Sequence, residues 1–408
     1  MPAGGRVKRK AGKRTRREPW TKEVAANLQR PSIRNDWRSF FYTIICIFAA
    51  LKFKDYMTLR KRFFSVILAL SVAIGAIAQD ATYKITSKGV IKSVENADGT
   101  KDEYNVLSPI MVFKSKYELT TEDWDSKFSV RHATLGLRGT ASKVFSYCFH
   151  VDFCTENKIT VLDLFAVIKP IERLSFTVGQ QYHPLFNSWT VAPNAVDYIN
   201  RPFLGKYFIA NRDIGVSAKY ALKQNGFPIN LEFGVFNGSG MSNPIWNKSL
   251  ATGGRIEFGS TKEGFRTSVK YYCNKNVDNK TDLYWGADLR YAAKDFKIEA
   301  ECLTKNMKEQ SLTATYLQAL YKINSNSKAV KRIEPLLRWD VMGYDILERG
   351  AGANRLTAGF NFVMNTALTS ILRINYEQYF NNSMDMSALF KDSHYNQNKL
   401  ALEYLLFF

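Results

Sequence analysis

The chain has 408 residues, a formal charge of +20, 46% hydrophobic residues and 14% aromatic residues. So large a basic excess suggests a nucleic-acid partner. The first 78 residues, however, hold 17 of the 57 Lys and Arg against 4 of the 37 Asp and Glu, leaving the remainder at about +7. Beyond position 80 no run reaches the roughly 18 to 20 apolar residues of a membrane-spanning helix, and Cys46, Cys148, Cys154, Cys273 and Cys302 are too scattered for a disulfide framework.

Residues 1–56 carry a basic cluster from Lys8 to Arg17 and a short apolar run from Phe40 to Leu51. No DNA-reading pattern surrounds the cluster, so this extension is expected to be untranslated or without function, with no nucleic-acid partner. From Met57 the chain shows a basic start at Arg60, Lys61 and Arg62, an apolar run, and the small-residue close Ala76-Ile77-Ala78. That order is the pattern of a secretory signal peptide over 57–78, cleaved between Ala78 and Gln79. Residues 79–107 follow as a periplasmic N-terminal segment whose Asn96-Ala97-Asp98-Gly99 turn suggests a small hairpin or a plug.

From about Ser108 onward the dominant pattern is apolar and polar alternation in segments of about ten residues, the length of a tilted membrane-spanning strand. In Phe145 to Cys154 every odd position is aromatic or Val, and every even one is polar or small. The period predicts about sixteen strands, near 108–117, 128–140, 145–154, 161–169, 174–182, 212–222, 229–237, 252–259, 265–273, 282–292, 295–304, 312–322, 330–340, 354–364, 369–380 and 399–408. Segments 161–169 and 312–322 are apolar on both faces or shift phase midway, as a β-bulge or a miscounted strand would cause. Connections alternate between short, such as 141–144, 170–173 and 365–368, and long, such as 238–251 and 381–398; the longest, 183–211, is the third on the long side. A soluble β-sandwich has no reason to alternate loop length, and it would carry charge where these strands carry Phe, Leu and Val. The expected fold is all-β: a transmembrane antiparallel β-barrel over 108–408.

Short motifs, ordered and spaced along the exported chain, add a resemblance. Ser129-Val130-Arg131-His132-Ala133-Thr134-Leu135-Gly136-Leu137-Arg138-Gly139-Thr140, Val178-Gly179-Gln180-Gln181 and Asn211-Arg212-Asp213-Ile214-Gly215-Val216 resemble the phosphate-selective porin O and P family of Gram-negative outer membranes, in its Bacteroidetes form. The closing Leu405-Leu406-Phe407-Phe408 looks like the C-terminal aromatic signal, ending at Phe408, that is read by the barrel-assembly machinery. The resemblance implies a sixteen-stranded barrel in outer-membrane lipid, commonly a homotrimer, whose third external loop folds inward and whose lumen passes small anionic or neutral solutes. After Gly179-Gln180-Gln181 the chain reads Tyr182-His183-Pro184-Leu185-Phe186, a departure from the family's usual acidic-tipped segment, so ligand preference does not carry over.

If the apolar parity faces lipid, the other parity lines the pore. Its anion-binding candidates are Arg138, Lys219, Arg255, Arg266, Lys270, Arg290 and Arg338, joined by Arg201, Lys206 and Arg212 around the third loop. The most one-sided patch is Arg255, Arg266 and Lys270; acidic residues elsewhere on the same parity leave at most a weak anion preference. Through the 141–144 turn, His132 falls opposite Cys154, Thr134 opposite Asp152 and Arg138 opposite Cys148. Cys148, His150, Asp152 and Cys154 lack the paired spacing of metal sites, so no metal or cofactor is expected. None of the four histidines has a serine-and-acid context, so no enzyme is expected either. A non-conducting barrel serving as an adhesin or envelope anchor is the alternative to a diffusion pore. N-terminal sequencing of the membrane-bound protein should begin at Gln79; an intact residue 1 would overturn the signal-peptide assignment.

Overall fold

A computed structural model describes residues 81–86, 89–96, 98–155, 158–260, 262–275, 281–380, 386–390 and 394–408. The basic extension 1–56, the signal peptide and the Ala78–Gln79 cleavage point lie outside the described residues. The strands are β1 (Ala81–Thr86), β2 (Gly89–Glu95), β3 (Lys101–Thr120), β4 (Ser126–Thr140), β5 (Phe145–Thr155), β6 (Lys158–Ile171), β7 (Leu174–Tyr182), β8 (Arg212–Lys223), β9 (Ile229–Phe236) and β10 (Ala251–Gly259). They continue with β11 (Gly264–Lys275), β12 (Thr281–Ala292), β13 (Phe296–Asn306), β14 (Ser311–Tyr321), β15 (Ile323–Asn324), β16 (Val330–Tyr344), β17 (Ala353–Met364), β18 (Thr369–Tyr379) and β19 (Lys399–Phe407).

Every barrel strand pairs antiparallel with its neighbours, and β19 closes on β3 from Lys399↔Thr120 to Phe407↔Val112. Phe408 extends the seam, exchanging two 3.2 Å backbone hydrogen bonds with Met111. Setting aside β1, β2 and the two-residue β15, the described residues form a closed sixteen-stranded barrel. Closure is what lets strands cross a bilayer, because it leaves no backbone edge unpaired in hydrocarbon. The alternation read from sequence is the mechanism of this placement. On β12, Leu283, Trp285, Leu289 and Tyr291 are exposed outward, while Tyr284 and Asp288 are buried inward. The barrel is thus inside-out relative to a soluble protein: charged residues fill its interior and an apolar belt faces lipid.

Of the two segments where a bulge or a miscounted strand is expected, the first carries a bulge. The β5–β6 ladder shifts register between His150 and Val151 and again between Asp152 and Thr155, and β6–β7 shifts between Ile168 and Ile171. Strand β14 instead pairs without a shift to both β13 and β16, and β15 falls in the connection after it. Thr134↔Asp152 and Arg138↔Cys148 pair as the 141–144 turn requires. Ahead of the barrel, β1, β2 and the start of β3 form an antiparallel meander, turned by a 2.8 Å bond from Asn96 N–H to the Thr100 carbonyl. Because β3 runs unbroken from Lys101 to Thr120, the expected boundary at 107/108 falls inside a strand.

Gly179, in one of the family-like motifs, has a positive φ of 125° on β7. A Cβ there would lie 2.2 Å from the Leu164 carbonyl oxygen of β6, so both conformation and space demand glycine. Gly179→Ala should destabilise the folded barrel by at least about 2 kcal/mol, read as a lower midpoint in denaturant-driven unfolding from micelles.

Candidate functional site

The loop 183–211 leaves β7, enters the barrel and returns to β8. Its turns are α1 (Ser188–Val191) and α2 (Phe203–Tyr207), and Leu185, Val191, Tyr198, Ile199, Phe203 and Leu204 along it are almost completely buried. At its root His183 stacks on Tyr272, with ring centroids 4.3 Å apart, and its Nε2 meets the Ala210 carbonyl at 2.7 Å. Burial pushes the His183 imidazole down to about 4, so it is neutral at physiological pH and donates from Nε2.

Five wall carboxylates receive the loop, and each also serves a wall cation; Glu118 accepts from Asn200 Nδ2 at 3.3 Å and pairs with Lys116 at 2.7 Å. Asp288 accepts from Asn187 Nδ2 at 2.9 Å while pairing with Arg266 and, at 3.0 Å, with Lys270. Glu301 accepts from Thr190 Oγ1 at 2.8 Å and pairs with Lys270. Asp340 accepts the Phe203 backbone N–H at 3.2 Å and holds Arg355 at 2.6 Å. Glu377 accepts from Asn200 Nδ2 at 3.0 Å and meets Arg355 at 3.2 Å. The indole of Trp189 lies between two guanidinium groups, 4.6 Å from Arg266 and 4.9 Å from Arg290, a cation–π arrangement strengthened by burial. Arg338 donates to the Asn200 carbonyl at 3.0 Å, and Tyr198 OH donates to the Leu337 carbonyl at 2.6 Å.

These bonds decide what the candidate cations can do. Arg255 pairs with Glu232 at 2.6 Å, Arg266 with Glu257 at 2.6 Å and with Asp288, and Lys270 with Asp288 and Glu301, so the patch that looked most one-sided in sequence is neutralised in place. Arg212 is bidentate on Asp163 at 2.8 and 3.0 Å, Arg290 pairs with Glu299 at 3.1 Å, and Arg338 lies 3.7 Å from Asp340. Arg138 and Lys219 are exposed towards the short-turn ends of β4 and β8. Arg201 and Lys206 line a small cavity of about 90 Å³ between the loop and strands β3, β4, β17, β18 and β19.

Lys116, Lys127, Arg131, Arg201, Lys206, Arg355 and Lys399 line that cavity with Glu118 and Glu377; Lys116 and Lys127 pair with Glu118, and Arg355 pairs with Glu377 and Asp340. Among the described residues no carboxylate pairs with Arg131 or Arg201. Burial and the neighbouring Arg131 charge hold the Arg201 guanidinium down to about 10, still cationic at neutral pH. Strict alternation from His132 and Thr134 assigns Arg131 to the lipid face. A β-bulge reverses that: Lys114 pairs with His132 and Ser115 with Val130, so Arg131 has no partner in the ladder and turns inward. Nothing in the local sequence marks this bulge. A larger cavity of about 330 Å³ lies towards the short-turn end, where Arg290, Lys297, Arg332 and Arg373 pair with Glu299, Asp197, Glu334 and Glu403 in turn.

The described strands enclose this inward loop in a closed sixteen-stranded antiparallel β-barrel of the outer-membrane type. No protein-family model and no curated protein matches the chain. Among solved structures the chain is similar to Salmonella typhi OmpF in complex with daunomycin, at 15% identity and TM-score 0.55, covering 78% of this chain and all of that one. It is also similar to the anion-selective porin from Comamonas acidovorans, at 11% identity and TM-score 0.52, and to the loop L8 deletion mutant of OmpT from Vibrio cholerae, at 9% identity and TM-score 0.51. Each match covers 74% of this chain and 99% of the other. At such identities the shared property is the fold.

Removing Asp288 takes from Arg266 and Lys270 one of the two carboxylates each of them holds, and it frees a loop donor as well. Asp288→Ala should destabilise the barrel by about 1.5–3 kcal/mol and open loop 183–211 to proteolysis, both visible in protease-digestion and unfolding measurements on the same preparation.

Proposed function

We propose that the chain is an outer-membrane porin, a passive diffusion channel for small solutes with a preference for anions. The observation carrying the preference is the pair Arg131 and Arg201, two guanidinium groups facing one cavity with no described carboxylate partner. In a narrow, low-dielectric passage an uncompensated guanidinium attracts and briefly coordinates a carboxylate or phosphate, whereas an ion-paired one contributes little field. Phosphate is one candidate solute among small anions, and neutral solutes pass by size.

In this reading the long-loop end faces outside and the short-turn end faces the periplasm, as short periplasmic turns require. The signal peptide 57–78 exports the chain with cleavage between Ala78 and Gln79, and 79–107 begins on the periplasmic side. Phe408, placed at the seam, serves the barrel-assembly machinery, and the apolar belt meets outer-membrane lipid in a homotrimer. The likeness to an anion-selective porin supports this reading through fold alone. One feature favours the adhesin or anchor alternative: the apolar cluster filling the long-loop end of the lumen.

Planar-bilayer recording separates the two. Purified protein should conduct and show an anion-side reversal potential in a potassium chloride gradient, and the double substitution Arg131→Ala, Arg201→Ala should move that potential towards zero with the barrel still folded. No conductance from correctly inserted protein would sink the pore reading; an unchanged reversal potential in the double variant would sink the role of these two arginines.

A further inference from the structure

Porin lumens are generally polar, yet the long-loop end of this one holds a buried apolar cluster. Phe236, Tyr272, Tyr284, Leu303 and Met342 supply it from the wall, and Phe203 and Leu204 supply it from the inward loop. The last long connection adds a third contribution. Its short helix α3 (Ser387–Phe390), with Met386 just before it, inserts Met386 and Phe390 into the cluster until both are almost fully buried. Phe390 packs edge-on against Phe203 with centroids 5.5 Å apart, lies 4.3 Å from the Tyr207 ring, and stacks on Tyr395 at 5.0 Å. Tyr207 and Tyr395 in turn line the cavity that holds Arg131 and Arg201. A clasp to the first long-side loop, His394 Nε2 to Asp125 Oδ2 at 2.9 Å, fixes the segment beside Tyr395.

We propose that Phe390 and Tyr395, packed on Tyr207, form a second constriction that sets the size limit of the channel above the arginine pair. A helix of four residues has no stability of its own, so α3 is held where it is by what its side chains bury. Withdrawing Phe390 would expose its own ring together with the faces of Phe203 and Tyr207, which keeps the aromatic wall in place between solute passages. The rings carry no formal charge, so they discriminate by bulk, while Arg131 and Arg201 beneath them discriminate by charge. Filling the side of the lumen against β9 to β17 also confines passage to the β3, β4 and β19 side, where the cations are. Two successive filters follow, one for size and one for sign.

This proposal rests on the pore reading, and the test keeps the two apart. Purified oligomer is reconstituted in liposomes, and swelling is followed in arabinose and in the bulkier raffinose, alongside single-channel conductance and reversal potential. Phe390→Ala should raise conductance and speed raffinose-driven swelling several-fold, with the reversal potential unchanged because the arginines remain; Phe390→Leu, which keeps most of the bulk, should exclude raffinose as the unaltered protein does. If Phe390→Ala fails to fold into a heat-modifiable barrel, Tyr395→Ala from the other side of the stack makes the same test. A conducting protein whose folded variants keep the original exclusion limit overturns the constriction alone; a protein that never conducts overturns the constriction and the pore reading together.

Discussion

Charge buried inside a barrel has to be neutralised within a few ångströms, because the surrounding wall screens it poorly. In this chain the neutralising groups are the wall carboxylates, and their geometry organises the rest of the lumen. Asp288, Glu301, Asp340 and Glu377 each bind a cation of the wall on one side and a donor of loop 183–211 on the other. The loop therefore docks on a surface whose charges are already balanced, and it donates neutral hydrogen bonds to the acceptor capacity that remains. With the carboxylates gone, Arg266, Lys270 and Arg355 would repel one another across a space the loop could no longer fill.

The same balance explains where an uncompensated charge can persist. On β9 to β13, acidic and basic residues of one parity meet across the ladders, as in Arg255 with Glu232 and Arg290 with Glu299, and their fields cancel locally. Around β3, β4 and the return of the loop, Arg131 enters through a bulge and Arg201 arrives on the loop, so neither belongs to the alternating register that distributes the paired charges. Backbone irregularity is thus the route by which charge escapes pairwise cancellation.

What the sequence reveals follows from the same distinction. Periodicity of two is enforced by the bilayer on every strand, so the strand segments, the short and long connections and the inward charged face could all be read from residues alone. Side-chain pairing across strands depends on register, which alternation specifies only up to a bulge. Thr134↔Asp152 was legible because a four-residue turn fixes it; the inward turn of Arg131 was not, because the bulge is a tertiary event without a local signal. The one-sided look of Arg255, Arg266 and Lys270 had a different cause: their partners Glu232, Glu257, Asp288 and Glu301 were visible on the same parity, but which carboxylate meets which cation is settled only by rotamers and by the loop that crosses them. Among the described residues, the apolar cluster was hidden for a similar reason, since Tyr272 and Tyr284 occupy positions that alternation marks as wet.

That cluster changes what the inward loop can be. A loop tied only by polar bonds to the wall would exchange those bonds for water with little net gain or loss. Here it has an apolar side as well, Leu185, Val191, Phe203 and Leu204, packed on wall residues and on Phe390 of the last connection, so that end of the lumen has the construction of a soluble protein core enclosed in a barrel. Apolar burial supplies the non-directional part of the docking, and the carboxylates supply its register. The polar cavities then lie where the apolar packing stops, on the β3, β4 and β19 side and towards the short turns. The position of the polar part of the lumen is accordingly fixed by the part that excludes water.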